Sequence, residues 1–165
     1  MKKLIVANWK MNPQTEKEAE AIIKSVTKLS KNVKNTDIVI CAPFVFLSAL
    51  RRLKNRMIQL GVQNVSGNES GAYTGEVSAP MLSNAKVRYC IVGHSERRSM
   101  GENDEMISKK VSLILKSRIT PILCVGETTR TPDGAYLHVV KDQITNCLTS
   151  ISKNYVKEIV IAYEP

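Results

Sequence analysis

The chain has 165 residues, 43% of them hydrophobic, and a formal net charge of +9. That length supports one domain with a sizeable core, and the mixed composition excludes a disordered chain. No apolar run approaches membrane-spanning length, and Leu4-Ile5-Val6-Ala7 behind Met1-Lys2-Lys3 is too short for a signal-peptide core. The positive charge would suit an anionic partner. However, the lysines and arginines are scattered along helix-like segments, aromatics make up only 5% of residues, and no nucleic-acid motif appears. The expectation is a small anionic substrate or a solvated basic surface, with no nucleic acid and no membrane as partner. Cys41, Cys90, Cys124 and Cys147 have no close-pair spacing and read as reduced, mostly buried thiols of a cytosolic protein, not as a zinc site or a disulfide framework.

In chain order, Leu4-Ile5-Val6-Ala7 reads as a strand and Asn8 to Pro13 as a polar turn with Trp9 as a core residue. Thr15 with Glu18 forms a capping box ahead of Ala19, Ile22, Ile23, Val26 and Leu29, whose spacing predicts one buried helix face. A second strand, Asp37 to Ala42, precedes a helical stripe of Leu47, Leu50 and Leu53. A third, Ile58 to Gln63, precedes the longest irregular stretch, Asn64 to Val77. Ser78 is read as the cap of a short helix with an early proline.

Val87 to Val92 is the fourth strand. Asn103 is then predicted to cap a helix whose Ile107, Val111, Ile114 and Leu115 face inward, with Asp104 and Glu105 in its first turn. Ile119 to Val125 is the fifth strand. The loop from Gly126 to Gly134 leads to a helix carrying Leu137, Val140, Ile144, Leu148 and Ile151, with His138 as a surface or capping residue. Glu158 to Tyr163 is the sixth strand, followed by Glu164-Pro165.

Strands at roughly thirty-residue spacing, each but the last followed by a helix, predict a parallel sheet built from βαβ units. No glycine occurs between Asn8 and Asn12, which disfavours a dinucleotide-binding first turn. Two architectures remain, an open sheet and an incomplete barrel. In either, ligands bind at the carboxyl ends of the strands, where His94 follows Val92-Gly93. A histidine there on its own is more often structural than catalytic.

Six motifs occur in order: Asn8-Trp9-Lys10-Met11-Asn12, Gln63-Asn64, Gly71-Ala72-Tyr73-Thr74-Gly75-Glu76, Gly93-His94-Ser95-Glu96-Arg97-Arg98, Cys124-Val125-Gly126-Glu127 and Ala162-Tyr163-Glu164-Pro165. Together they closely resemble the triosephosphate isomerase family. The resemblance implies a TIM (β/α)8-barrel fold, here a single partial domain over residues 1–165 with six strands of an incomplete barrel. It also implies a cytoplasmic, glycolytic and gluconeogenic enzyme interconverting dihydroxyacetone phosphate and glyceraldehyde 3-phosphate without cofactor or metal. The family is itself the reference example of the acid and base tuning it implies.

By resemblance, Glu164 is the base, His94 the electrophile that polarises the carbonyl, and Lys10 the cation near the developing enediolate. Asn8 orients Lys10 and the small phosphorylated triose substrate. Ser95 and Glu96 support the site, Ser95 by opening a short helix after His94 and Glu96 by pairing with Lys10. Cys124 packs behind the site. The loop carrying Thr74, Gly75 and Glu76 matches a loop that plugs into a second subunit near its Asn8 and Lys10, so a homodimer is expected for the full-length parent.

Ser99-Met100 is one residue shorter than the common family pattern. This puts the ion pairs of Arg97 and Arg98 in question and leaves His94 in place. The chain corresponds to about the first two thirds of a family member, so the lid and the last two strand-helix units, whose loops bind phosphate, would lie past Pro165. These 165 residues alone are expected to have little or no activity. The competing expectation is a non-catalytic open α/β module that keeps the dimer loop and acts through association.

Overall fold

A computed structural model of the chain describes residues 2–53, 58–130 and 132–165. Six strands alternate with helices: β1 (Lys3–Asn8), α1 (Glu16–Leu29), β2 (Thr36–Ala42), α2 (Leu47–Leu53), β3 (Ile58–Val62), α3 (Ala79–Asn84) and β4 (Tyr89–Val92). Then come α4 (Ser95–Ser99), α5 (Asp104–Lys116), β5 (Thr120–Val125), α6 (Tyr136–Cys147), α7 (Lys153–Val156) and β6 (Val160–Tyr163). All neighbouring strands are parallel, and their order is β1-β2-β3-β4-β5-β6. A doubly wound sheet reverses its strand order part-way across, whereas a barrel adds each strand beside the last. The sequential order therefore selects the barrel over the open dinucleotide-type sheet.

The period-two alternation of side chains divides the strands between two cores. Val39 and Cys41 of β2, Ile91 of β4, and Ile122 and Cys124 of β5 pack together on the inner face. The outer face of β2 and β3 packs under α1 and α2 through Ile40, Leu60, Ile23 and Leu50. On the outer face of β4 and β5, Val92, Leu123 and Val125 meet Ile107, Val111 and Ile114 of α5. Gly61 sits on the inner face of β3, where an added Cβ would lie 2.4 Å from the Cys41 sulfur. Only a residue without a side chain lets β2 and β3 converge there.

The helix starts follow their caps. Thr15 and Glu18 form the reciprocal capping box of α1, and the Asn103 side chain accepts from the Met106 amide at the start of α5. The inward residues predicted for α5 are all buried.

Four expectations need correction. Ile22 and Leu29 are exposed on α1, Leu29 to 81%. Of the predicted face, Ala19 and Ile23 are buried and Val26 is partly buried against the same core, with Ser30 buried at the end of the helix. Leu137 is 61% exposed at the start of α6. The predicted α6 stripe also overran the helix: Leu148 caps α6, and Ile151 packs on the core from the following turn before the short α7. Ser78 occupies the cap position of α3, but its side chain makes no capping hydrogen bond.

Candidate active site

The fourth strand ends in a turn that fixes His94. Gly93 has φ +69°, and an added Cβ would crowd the Cys124 carbonyl oxygen at 3.1 Å. Both constraints call for glycine. His94 then caps α4, and its Nδ1 accepts a hydrogen bond from the Glu96 amide at 3.2 Å. An accepting Nδ1 carries no proton, so the neutral ring places its proton on Nε2. That atom faces the Glu164 Oε1 at 3.2 Å.

Glu164 arrives from the sixth strand. Its amide bonds the Val125 carbonyl at 2.9 Å, and its carboxylate also accepts from the Ser95 amide at 3.3 Å. Gly126 makes this approach possible, since a Cβ there would lie 1.8 Å from the Glu164 carbonyl oxygen. Beneath the carboxylate lies the buried Cys124. Burial first, and then the neighbouring Glu164, push its thiol up to about 12, so it stays protonated and works as packing.

Lys10 comes from the turn after β1. Its backbone is left-handed, at φ +53°, and its amide bonds the Asn8 side chain at 3.0 Å. The ammonium bonds Glu96 at 2.9 Å. That bond raises the lysine above its ordinary value and lowers the glutamate below its own. Asn8, Lys10, Glu96 and His94 therefore line one cleft of about 360 Å³, together with Met11, Gln63, Asn64, Arg97 and Met100. Glu164 lines a second cleft, with Ser95 and Gly126.

A buried polar apparatus stands behind the histidine. Lys110 binds Glu102, and it also donates to Asn64 at 2.8 Å. Arg98 pairs with Asp104 at 2.6 Å. Despite the shortened loop, both arginines keep carboxylate partners, but unequally: Arg97 reaches Glu102 only at 3.7 Å, and its buried Nε makes no hydrogen bond among the described residues. The sequence reading did not single out Glu102 or Lys110. Lys110 could have been found, because it falls on the apolar stripe of α5 three residues after Ile107 and four before Ile114, where a cation must be paired. Further out, the Tyr163 hydroxyl donates to Glu127 at 2.9 Å and Arg130 pairs with Glu127 at 2.8 Å. Among the described residues, no three histidines, cysteines or carboxylates gather as ligands of a metal ion.

The stretch carrying Thr74, Gly75 and Glu76 leaves the body of the protein. Its base is closed by the Ser66 amide on the Val77 carbonyl at 2.8 Å, and residues 68–76 are exposed. Gly71 and Gly75 take φ of +127° and +90° within it.

Comparison with known proteins agrees with this architecture. The family model described as triosephosphate isomerase matches residues 3–165. The triosephosphate isomerase of Cytophaga hutchinsonii is 40% identical over 168 residues, covering 99% of this chain and 66% of the relative. That of Clostridium botulinum (strain Loch Maree / Type A3) is 43% identical, covering 98% and 66%. That of Aquifex aeolicus is 44% identical, covering 100% and 67%. The chain spans about two thirds of the length of these relatives. With a family model matched along nearly all of its residues, the chain belongs to the triosephosphate isomerase family.

Proposed function

We propose that these residues encode the chemical centre of an isomerase for a triose phosphate, interconverting dihydroxyacetone phosphate and glyceraldehyde 3-phosphate. The observation that carries the reading is the facing pair of His94 Nε2 and Glu164 at 3.2 Å, with the Nδ1 of the ring committed to the Glu96 amide. Glu164 takes a proton from the carbon beside the substrate carbonyl. The electron pair of that C–H bond moves into the carbon skeleton, and the carbonyl oxygen becomes the oxygen of an enediolate. His94 donates from Nε2 to that oxygen, and Lys10 supplies positive charge to it. His94 then takes the hydroxyl proton from the oxygen on the carbon that lost its hydrogen, which restores Nε2–H, and return of the proton from Glu164 to the former carbonyl carbon turns that oxygen into the new carbonyl and completes the exchange of aldehyde and ketone. Asn8 holds the turn that aims Lys10, and no cofactor or metal takes part.

The partner proposed for the parent protein is a second copy. The exposed loop tip with Thr74 suits the cleft beside Asn8 and Lys10, and no described helix is long and apolar enough to cross a membrane. The cytoplasm and sugar-phosphate metabolism are the setting this chemistry suits.

The 165-residue chain by itself is expected to turn over substrate slowly or not at all. The Glu164 carboxylate is one-third exposed and is occupied by the Ser95 amide and His94, whereas a base of this kind works held dry and well aimed. A coupled isomerase assay on the folded chain tests both statements, with His94→Gln as control and circular dichroism for folding. Absence of turnover supports the need for further substrate-gripping groups. Robust turnover lost in His94→Gln supports the site and overturns the low activity. Turnover unchanged in His94→Gln overturns the assignment of the histidine.

A further inference from the structure

Both backbone polar groups of Gly93, the residue before His94, are held by charged side chains. Its amide donates to Glu102 at 3.2 Å, and its carbonyl accepts from Arg98 Nε at 2.8 Å. Arg98 is itself fixed on several sides. One terminal nitrogen pairs with Asp104, and the other lies 3.5 Å from the Cys124 carbonyl oxygen and 3.7 Å from the Cys147 sulfur. The arginine thus joins the end of β4, the end of β5, the start of α5 and the end of α6 in a single planar fork.

Cys147 is a working member of this cluster. It is fully buried, and its thiol donates to Asp104 at 3.3 Å while lying within reach of Arg98. Burial, with the Asp104 carboxylate adding to it, pushes the thiol up to about 12, which keeps the proton on sulfur for that bond. Asn146 supports the other Asp104 oxygen at 3.3 Å.

The backbone of Arg98 adds a further hold. Its amide bonds the His94 carbonyl at 3.0 Å, so one residue grips the carbonyls of both Gly93 and His94. The intervening α4 has five residues, too few to hold an orientation on helical bonding alone. Rotation of the Gly93 peptide would turn the imidazole away from the Glu96 amide.

We infer that Arg98 is a positioning residue for His94, held in register by Asp104 and Cys147. A lysine keeps the charge but has a single nitrogen, which cannot serve Gly93, Cys124 and Asp104 together. The inference rests on the proposed role of His94, but its readout is separate from turnover.

The test is the nitrogen chemical shifts of the histidine rings in the 165-residue chain, with the exposed His138 as internal reference. The wild-type His94 is expected in one tautomer, protonated on Nε2. Arg98→Lys, checked by circular dichroism, is expected to lose that pattern and approach the tautomer averaging of His138. A folded Arg98→Lys chain that keeps the single tautomer overturns the inference. If Arg98→Lys does not fold, Cys147→Ala decides. A loosened His94 that Cys147→Ser restores supports the cluster, and an unmoved His94 in Cys147→Ala overturns it. An inactive chain leaves this test intact, and an active chain with an unmoved ring sinks the positioning role alone.

Discussion

The carboxyl ends of β4 and β6 deliver the two groups that face each other, and they are built very differently. β4 lies between β3 and β5 under α5, with Ile91 only 3% exposed, and its histidine is fixed by the turn that follows it. β6 pairs with β5 alone among the described strands, its Ile161 is 43% exposed, and its glutamate borrows its anchors from elsewhere: the Val125 carbonyl, the Ser95 amide and the His94 ring. The histidine is set locally, while the glutamate is set by import. Damage to β4 should therefore move both groups, and damage to β6 should move the glutamate and leave the histidine.

The largest expected contrast is between two isoleucines. Ile91→Ala opens a cavity in the inner core and is expected to cost about 3 kcal/mol of unfolding free energy. Ile161→Ala, on the uncovered face of β6, is expected to stay within about 0.5 kcal/mol. Urea titrations of the two variants measure this, and equal losses would break the distinction between the strands. Next in size is Gly126→Ala, whose Cβ meets the Glu164 backbone. It is expected to cost about 2 kcal/mol, felt first in β6. Hydrogen exchange should show the Glu164 amide losing protection while the amides of Ile91 and Val92 keep theirs. Simultaneous loss in both strands would mean that β6 is as integral as β4.

What could be read from the residues beforehand does not follow the same division. Strand positions, the Thr15 and Asn103 caps and the inward face of α5 follow from local spacing, and this holds even for β1 and β6, each paired on one side only among the described strands. Misread residues cluster where neighbours are missing: Leu29, exposed on α1, and Leu137 at the exposed start of α6. Apolar spacing shows that a helix has a face, but not how wide a face its neighbours cover. At the proposed site, the motifs pointed to His94, Lys10 and Glu164, and the fold brings His94 against Glu164 and Lys10 against Glu96. The Arg98 fork was less legible. Its partners lie 5 to 49 residues away, and no local pattern announces that Cys147 will meet Asp104.

The smallest effect sharpens the comparison from the β4 side. Burial works against the Asp104 carboxylate, but the hydrogen bonds from Arg98, Cys147 and Asn146 outweigh it and hold the group below its ordinary value of 3.8. The folded chain then binds fewer protons than the unfolded chain as pH falls through that region, so the stabilisation is complete above 3.8 and is lost as pH drops through the folded value. Asp104→Asn should lower stability at neutral pH by about 1 kcal/mol, and the two stability curves should converge in acid because protonated wild type has lost the same interaction. Urea titrations from pH 7 down through the acid range measure the convergence. A constant gap between wild type and variant across that range would mean that Asp104 contributes by shape alone, leaving Gly93 and its histidine to be fixed from the Glu102 side.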